Sequence, residues 1–185
     1  MFNYLKKIFS IFLIFNLTFV TSAQAAAVSF VDSFSVAAQD TGPEGIAFNN
    51  DGTKMFVVGF TSLDVNEYTL STAFDVSTAS FVDAFDVSGQ EGVPQGLAFN
   101  NDGTKMFVTG FVGKDVNEYT LSTGFDLTST VSHVVAFDVS GQETDPTGLA
   151  FNNDGTKMFV LGAIGDEVNE YTLSVGFDLT STVTF

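Results

Sequence analysis

Two sets of acids recur at matched spacing along the chain. Asp40, Glu91 and Glu143 form one set and Asp64, Asp115 and Glu167 the other, separated in both by 51 and then 52 residues. Carboxylates at equivalent places of a repeat can converge on a common axis and hold Ca²⁺, which takes six to eight oxygen ligands. The same acids also read as a solvated rim, and no metal ligand is assigned. Composition removes most other chemistry. The chain has no Cys, which excludes disulfides and zinc sites built from His and Cys. It has no Arg, the usual bidentate clamp on carboxylate or phosphate. His133 is the only His, and no signature supplies the carboxylate and nucleophile that a catalytic imidazole needs. It reads as a surface residue in a connection, and no catalytic residue is assigned. Asn49-Asn50-Asp51-Gly52 superficially resembles a calcium loop but lacks the Asp-x-Asp-x-Asp spacing and the closing Glu. It reads as a hairpin turn.

The elements that position these acids repeat with them. Phe48, Phe99 and Phe151 keep the same period, as do Phe74, Phe125 and Phe177, and Phe34, Phe85 and Phe137. The one-residue difference falls between Phe125 and Phe137, so a connection lies there. A period near 50 with several short strands per unit is the mark of propeller blades. Helical solenoids would need a 3.6-residue apolar period, which the chain after its first 25 residues lacks. In the second unit the expected strands are Gly96–Asn100, Lys105–Phe111 and Asp115–Ser122, with an outer strand near Phe81–Val87 or Val134–Val139. Asn101-Asp102-Gly103 offers the positive φ angles of a two-residue hairpin turn. Met106-Phe107-Val108 is apolar at consecutive positions, which predicts burial on both faces. The outer strand alternates, with Phe81, Asp83, Phe85 and Val87 expected on one face. The fold expected is all-β, a propeller segment of about three four-stranded antiparallel blades, as an open arc or part of a larger ring.

The motif Gly-Leu-Ala-Phe-Asn-Asn-Asp-Gly-Thr-Lys-Met-Phe-Val from Gly96, followed by Asp-Val-Asn-Glu-Tyr-Thr-Leu-Ser from Asp115, resembles the YVTN/NHL-type β-propeller repeat. Pro43-Glu44-Gly45, Pro94-Gln95-Gly96 and Pro146-Thr147-Gly148 match the start of that repeat. The resemblance covers residues 28–185 and implies fold far more than activity, because propellers host enzymes, receptors and scaffolds alike.

Residues 1–25 read as a secretory signal peptide. Lys6 and Lys7 precede an apolar stretch from Ile8 to Val20 and an Ala23-Gln24-Ala25 cleavage site. The apolar stretch, interrupted by Asn16 and Thr18, is too short to span a bilayer. The expected location is secreted or periplasmic, with residues 26–185 as the repeat domain in units near 28–79, 80–131 and 132–185. Without the two leader lysines, 4 Lys stand against 22 acids, a formal charge of −18. Phosphate neutralisation needs Lys and Arg, so nucleic acid is excluded as a partner.

Val28–Ala38 matches an outer strand, and Val183-Thr184-Phe185 stands where the last outer strand would begin. Three blades are fewer than the four to eight of a ring. The chain is therefore expected to be part of a longer propeller or to pair with itself head to tail. In a propeller the Asn-Asp-Gly turns share one face with the near-identical loops 71–79, 122–132 and 174–182. The six acids lie on the other, where the loops 60–64, 111–115 and 163–167 vary. Variation on a rigid scaffold is where binding is commonly placed. Glu67, Glu118 and Glu170 recur in every unit and read as structural. The expected function is a secreted binding or interaction module without catalysis, its partner an exported protein, a glycan or the chain itself. A lactonase-like or other hydrolytic propeller enzyme is the alternative.

Overall fold

The computed structural model describes residues 28–185, so the expected signal peptide at 1–25 lies outside the described residues. Three four-stranded antiparallel sheets follow one another, each in simple up-and-down order. The first contains β1 (Pro43–Phe48), β2 (Lys54–Gly59), β3 (Asp64–Leu70) and β4 (Ala79–Asp86). The second contains β5 (Pro94–Phe99), β6 (Lys105–Gly110), β7 (Asp115–Leu121) and β8 (Val131–Asp138). The third contains β9 (Pro146–Phe151), β10 (Lys157–Gly162), β11 (Val168–Leu173) and the two-residue β12 (Val183–Thr184). The inner strands β1, β5 and β9 lie side by side, and each outer strand crosses to the next inner strand. These are three consecutive blades of a propeller.

Each blade forms for the reason its sequence pattern gives. Met106, Phe107 and Val108 are fully buried on both faces of β6. The hairpin turn differs from expectation. Five residues, Asn100 to Thr104, join β5 to β6, and the Gly103 N–H donates to the Asn100 carbonyl. Of Asn101, Asp102 and Gly103 only the glycine has positive φ, +72°. The Asn100 side chain closes the turn by accepting from the Lys105 N–H at 2.9 Å.

The outer strand also departs from the expected alternation. A bulge opposite Glu67 and Tyr68 sets Phe81 and Asp83 against consecutive residues of β3. Phe81 and Phe85 therefore lie on opposite faces. Phe81 packs edge-on against Tyr68 of its own blade, and Phe85 against Tyr119 of the next. The same bulge governs β8 and corrects the reading of His133. His133 lies within that strand, opposite Tyr119 and in Phe81's place, with its ring edge-on to the tyrosine. The extra residue instead falls in the 122–130 connection.

Val28–Ala38 is expected as an outer strand and forms no strand. Phe34 nonetheless packs edge-on against Tyr68 with centroids 5.6 Å apart, as Phe85 does against Tyr119 at 5.5 Å.

Candidate functional site

Asp40, Glu91 and Glu143 sit in the crossovers that lead into inner strands. A tight turn precedes each acid: the N–H groups of Gln90 and Glu91 both donate to the Val87 carbonyl, and the other crossovers repeat this. The turn drives the carboxylate inward, and all three acids are buried. Glu91 Oε1 accepts from the N–H groups of Val93 at 2.8 Å and Val112 at 3.0 Å, and Oε2 from Gly113 at 2.9 Å. Glu143 accepts in the same way from Asp145 and Gly165. The shorter Asp40 accepts from Gly42, and from Ser62 through both its N–H and its hydroxyl. Burial alone would raise the Asp40 and Glu143 carboxyls, but the combined donors hold both below the ordinary carboxylate value. Each acid thus staples a crossover to the loop between the second and third strands of the blade that follows it.

Asp64 and Asp115 open β3 and β7, and each stands opposite another carboxylate, Asp86 and Asp138. Like charges directly opposed across a strand pair are destabilising. The Asp64 carboxyl is raised by burial first, then by Asp86 and Asp40. That of Asp115 is raised by burial first and next by Glu91, although it accepts from Asn117 Nδ2 at 2.6 Å. Glu167 is exposed and lies just before β11. Four of the six acids are therefore brought together within a blade, Asp40 with Asp64 and Glu91 with Asp115, while Glu167 stands exposed; Glu91 and Glu143 spend their oxygens on backbone donors, and Asp40 on backbone donors and the Ser62 hydroxyl. Among the described residues no group of three or more His, Asp or Glu is arranged to hold a metal ion.

Glu67 and Glu118 are fully buried and join adjacent blades. Glu67 Oε2 accepts from the Leu127 N–H at 2.7 Å, and Glu118 Oε2 from Leu179 at 2.7 Å. Lys54 Nζ lies 2.7 Å from Glu67 Oε1 as an ion pair and donates to the Phe125 carbonyl. Lys105 does the same for Glu118 and the Phe177 carbonyl. Glu170 pairs with Lys157 on an exposed face.

A site that sequence reasoning missed runs along the inner strands. Glu44, Gln95 and Thr147 line a groove of about 200 Å³ together with Ile46, Leu97 and Leu149. β1, β5 and β9 read PEGIAF, PQGLAF and PTGLAF, so the second position is where their polarity changes. That variation is visible in the sequence, but within the motif it reads only as the tolerant middle of Pro-x-Gly. Thr147 Oγ1 donates to the Leu161 carbonyl at 3.3 Å, while Gln95 Oε1 is buried with no hydrogen-bond donor among the described residues.

No protein-family model and no curated protein matches the chain. Solved structures do. A "putative 6-phosphogluconolactonase" from Bacteroides uniformis ATCC 8492 aligns with 78% of this chain at TM-score 0.57 and 11% identity. The Pseudomonas aeruginosa periplasmic gluconolactonase PpgL aligns with 78% at TM-score 0.55 and 16% identity. A luciferin-regenerating enzyme aligns with 77% at TM-score 0.50 and 20% identity. The aligned part covers 39%, 38% and 42% of those chains, so this chain spans about two-fifths of their length. At these identities the likeness is one of fold: the chain is similar in architecture to part of a β-propeller.

Proposed function

We propose that this chain is an exported binding module of YVTN/NHL-type repeats, whose groove along the inner strands takes a neutral glycan. The observation that carries this reading is the polar series Glu44, Gln95 and Thr147 at one register position of otherwise matched strands. A carboxylate, an amide and a hydroxyl supply donors and acceptors suited to sugar hydroxyls. With no Arg in the chain and a formal charge of −16, anionic sugars are repelled. The buried acids that could act as general acid or base are instead held by backbone donors or by the neighbouring blade.

The hydrolytic alternative draws support from the names of the structural neighbours. Two measurements on the same preparation separate the readings. Titration calorimetry with neutral polysaccharides is expected to show saturable binding that Glu44→Ala/Gln95→Ala removes without moving the melting temperature. A pH-stat assay with glucono-1,5-lactone is expected to show the spontaneous rate. Saturable lactone turnover, or glycan binding indifferent to the double substitution, would overturn the proposal.

A further inference from the structure

Asp-Gly occurs at Asp51, Asp102 and Asp154, each time in the exposed hairpin turn between the first two strands of a blade. It is a dipeptide prone to rearrange, because glycine carries no Cβ to hinder approach to its own nitrogen. In that reaction the glycine nitrogen attacks the aspartate Cγ and an N–Cγ bond forms. One carboxyl oxygen leaves as water, taking the acid proton and the amide proton. The cyclic imide then takes up water at either carbonyl. Opening at the main-chain carbonyl leaves a β-linked aspartate, with an extra carbon in the backbone.

The folded turn engages both partners of that attack. Asp102 Oδ1 accepts from the Thr104 N–H at 3.0 Å and from the Thr104 hydroxyl at 2.6 Å. Thr53 and Thr156 hold Asp51 and Asp154 in the same way. These donors, the threonine hydroxyl first among them, keep the three carboxyls below the ordinary carboxylate value. An ionised carboxylate has no protonated oxygen ready to leave. The glycine nitrogens are engaged as well. The N–H groups of Gly52, Gly103 and Gly155 donate to the carbonyls of Asn49, Asn100 and Asn152. The carbonyls of the same glycines accept from the N–H groups of Phe74, Phe125 and Phe177, and those rings lie so close over the glycines that a Cβ would collide with them. Both peptide planes that meet at the glycine are therefore fixed.

We propose that Thr53, Thr104 and Thr156 guard latent isoaspartate sites at Asp51, Asp102 and Asp154, the hydroxyl on each carboxylate keeping the glycine nitrogen from closing the imide. The lock is complete within each blade and is independent of the glycan reading. It protects the links that the turn makes. Asn100 and Lys105 bond across the turn, and the Asn101 carbonyl accepts from Asn50 of the preceding blade at 2.6 Å. An extra backbone carbon at Asp102 would displace both.

The test is peptide mapping of the full chain after storage in neutral buffer, with β-linked aspartate identified by electron-transfer fragmentation. Thr104→Val removes the hydroxyl and keeps the N–H, whereas Thr104→Ser keeps both. The β-linked fraction at Asp102 is expected to grow about tenfold faster in Thr104→Val than in the wild type, the rate equivalent of one hydrogen bond to a charged group. Thr104→Ser is expected at the wild-type rate. Asp51 and Asp154 of the same molecules are expected to be unchanged, which separates a local guard from a general loosening of the fold. The wild-type chain unfolded in urea gives the unguarded rate at all three sites. A folded wild type that isomerises as fast as the unfolded chain, an Asp102 rate indifferent to Thr104→Val, or equal acceleration at all three sites would overturn the proposal.

Discussion

Replacing Glu118 with Ala tests whether the blades are held together as described. The carboxylate is fully buried, and its side chain 1% exposed. Removing it leaves the Leu179 N–H without its acceptor at 2.7 Å and Lys105 Nζ without its ion partner at 2.7 Å. An unpaired buried N–H costs about 1–3 kcal/mol. Breaking a buried ion pair on one side costs about 3–5 kcal/mol in total, which includes that term. Lys105 retains its bond to the Phe177 carbonyl and is partly hydrated, so the lower part of the range, about 3–4 kcal/mol, is expected. For a chain of this size each kcal/mol moves the melting temperature by about 2–4 °C, so Tm should fall by about 6–16 °C. Glu170→Ala supplies the internal comparison. The residue and its lysine partner are the same, but both side chains are substantially exposed. Exposed pairs contribute about 0–1 kcal/mol. The two variants are compared by urea unfolding followed by circular dichroism, at concentrations where the chain is monomeric. Equal losses for Glu118→Ala and Glu170→Ala would refute the argument that the neighbouring blade, and not the local sequence, gives this glutamate its weight.

Glu91→Ala strips three backbone N–H groups of their acceptor. It should cost about 3–5 kcal/mol, each bond to a charged group contributing about 1.5–3 kcal/mol before rehydration of the loop; hydrogen exchange should show 111–113 opening first. Asp64→Asn removes a like charge opposite Asp86 and should stabilise by about 0.2–1 kcal/mol near neutrality, read from the urea midpoint. The pH dependence has two opposed parts. The raised Asp64 and Asp115 carboxyls bind protons more tightly when folded, so their contribution improves as pH falls through the folded value towards that of the unfolded chain. The lowered Asp40 and Glu143 contribute above the unfolded value and lose that contribution as pH falls through the folded one. Stability should therefore peak in weak acid and decline below about pH 4; a monotonic fall from neutrality would contradict the raised pair. Ca²⁺ should raise Tm no more than NaCl of matched ionic strength, because the staple carboxylates are already saturated.

The period, the four strands of each unit and the burial of Met106-Phe107-Val108 were legible because periodicity reports which faces meet apolar neighbours. The bulge was not. Nothing in Phe81-Val82-Asp83 marks the extra residue, and a one-residue slip exchanges every face beyond it. His133 was misplaced because β8 begins at Val131, three residues before the expected Val134, and its partner Tyr119 becomes visible only once the bulged register is known. The acids of the loop face were legible as a repeated set but not as staples. Matched spacing says that three residues do the same thing, not whether they face an axis, water or their own backbone.

What the acids do follows from how the chain forms its loops without Cys or Arg. A crossover that leads into a buried inner strand brings unpaired N–H groups with it, and those donors must be satisfied. Asp40, Glu91 and Glu143 each meet several at once, which a neutral side chain could do only in part. The length of the acid matches the loop it holds. Asp40 is short and faces Ser62, whose hydroxyl and N–H come to meet it. Glu91 and Glu143 are longer and reach the bare backbone at Gly113 and Gly165. The variation in loops 60–64, 111–115 and 163–167 is thus partly an accommodation to the staple and need not mark a ligand. Glu44, Gln95 and Thr147 are different. They vary on strands whose backbone register stays the same, and of the three, among the described residues, only Thr147 bonds to the neighbouring strand, through its hydroxyl to the Leu161 carbonyl. The proposed glycan is assigned to the groove, and not to the acidic rim, on that contrast.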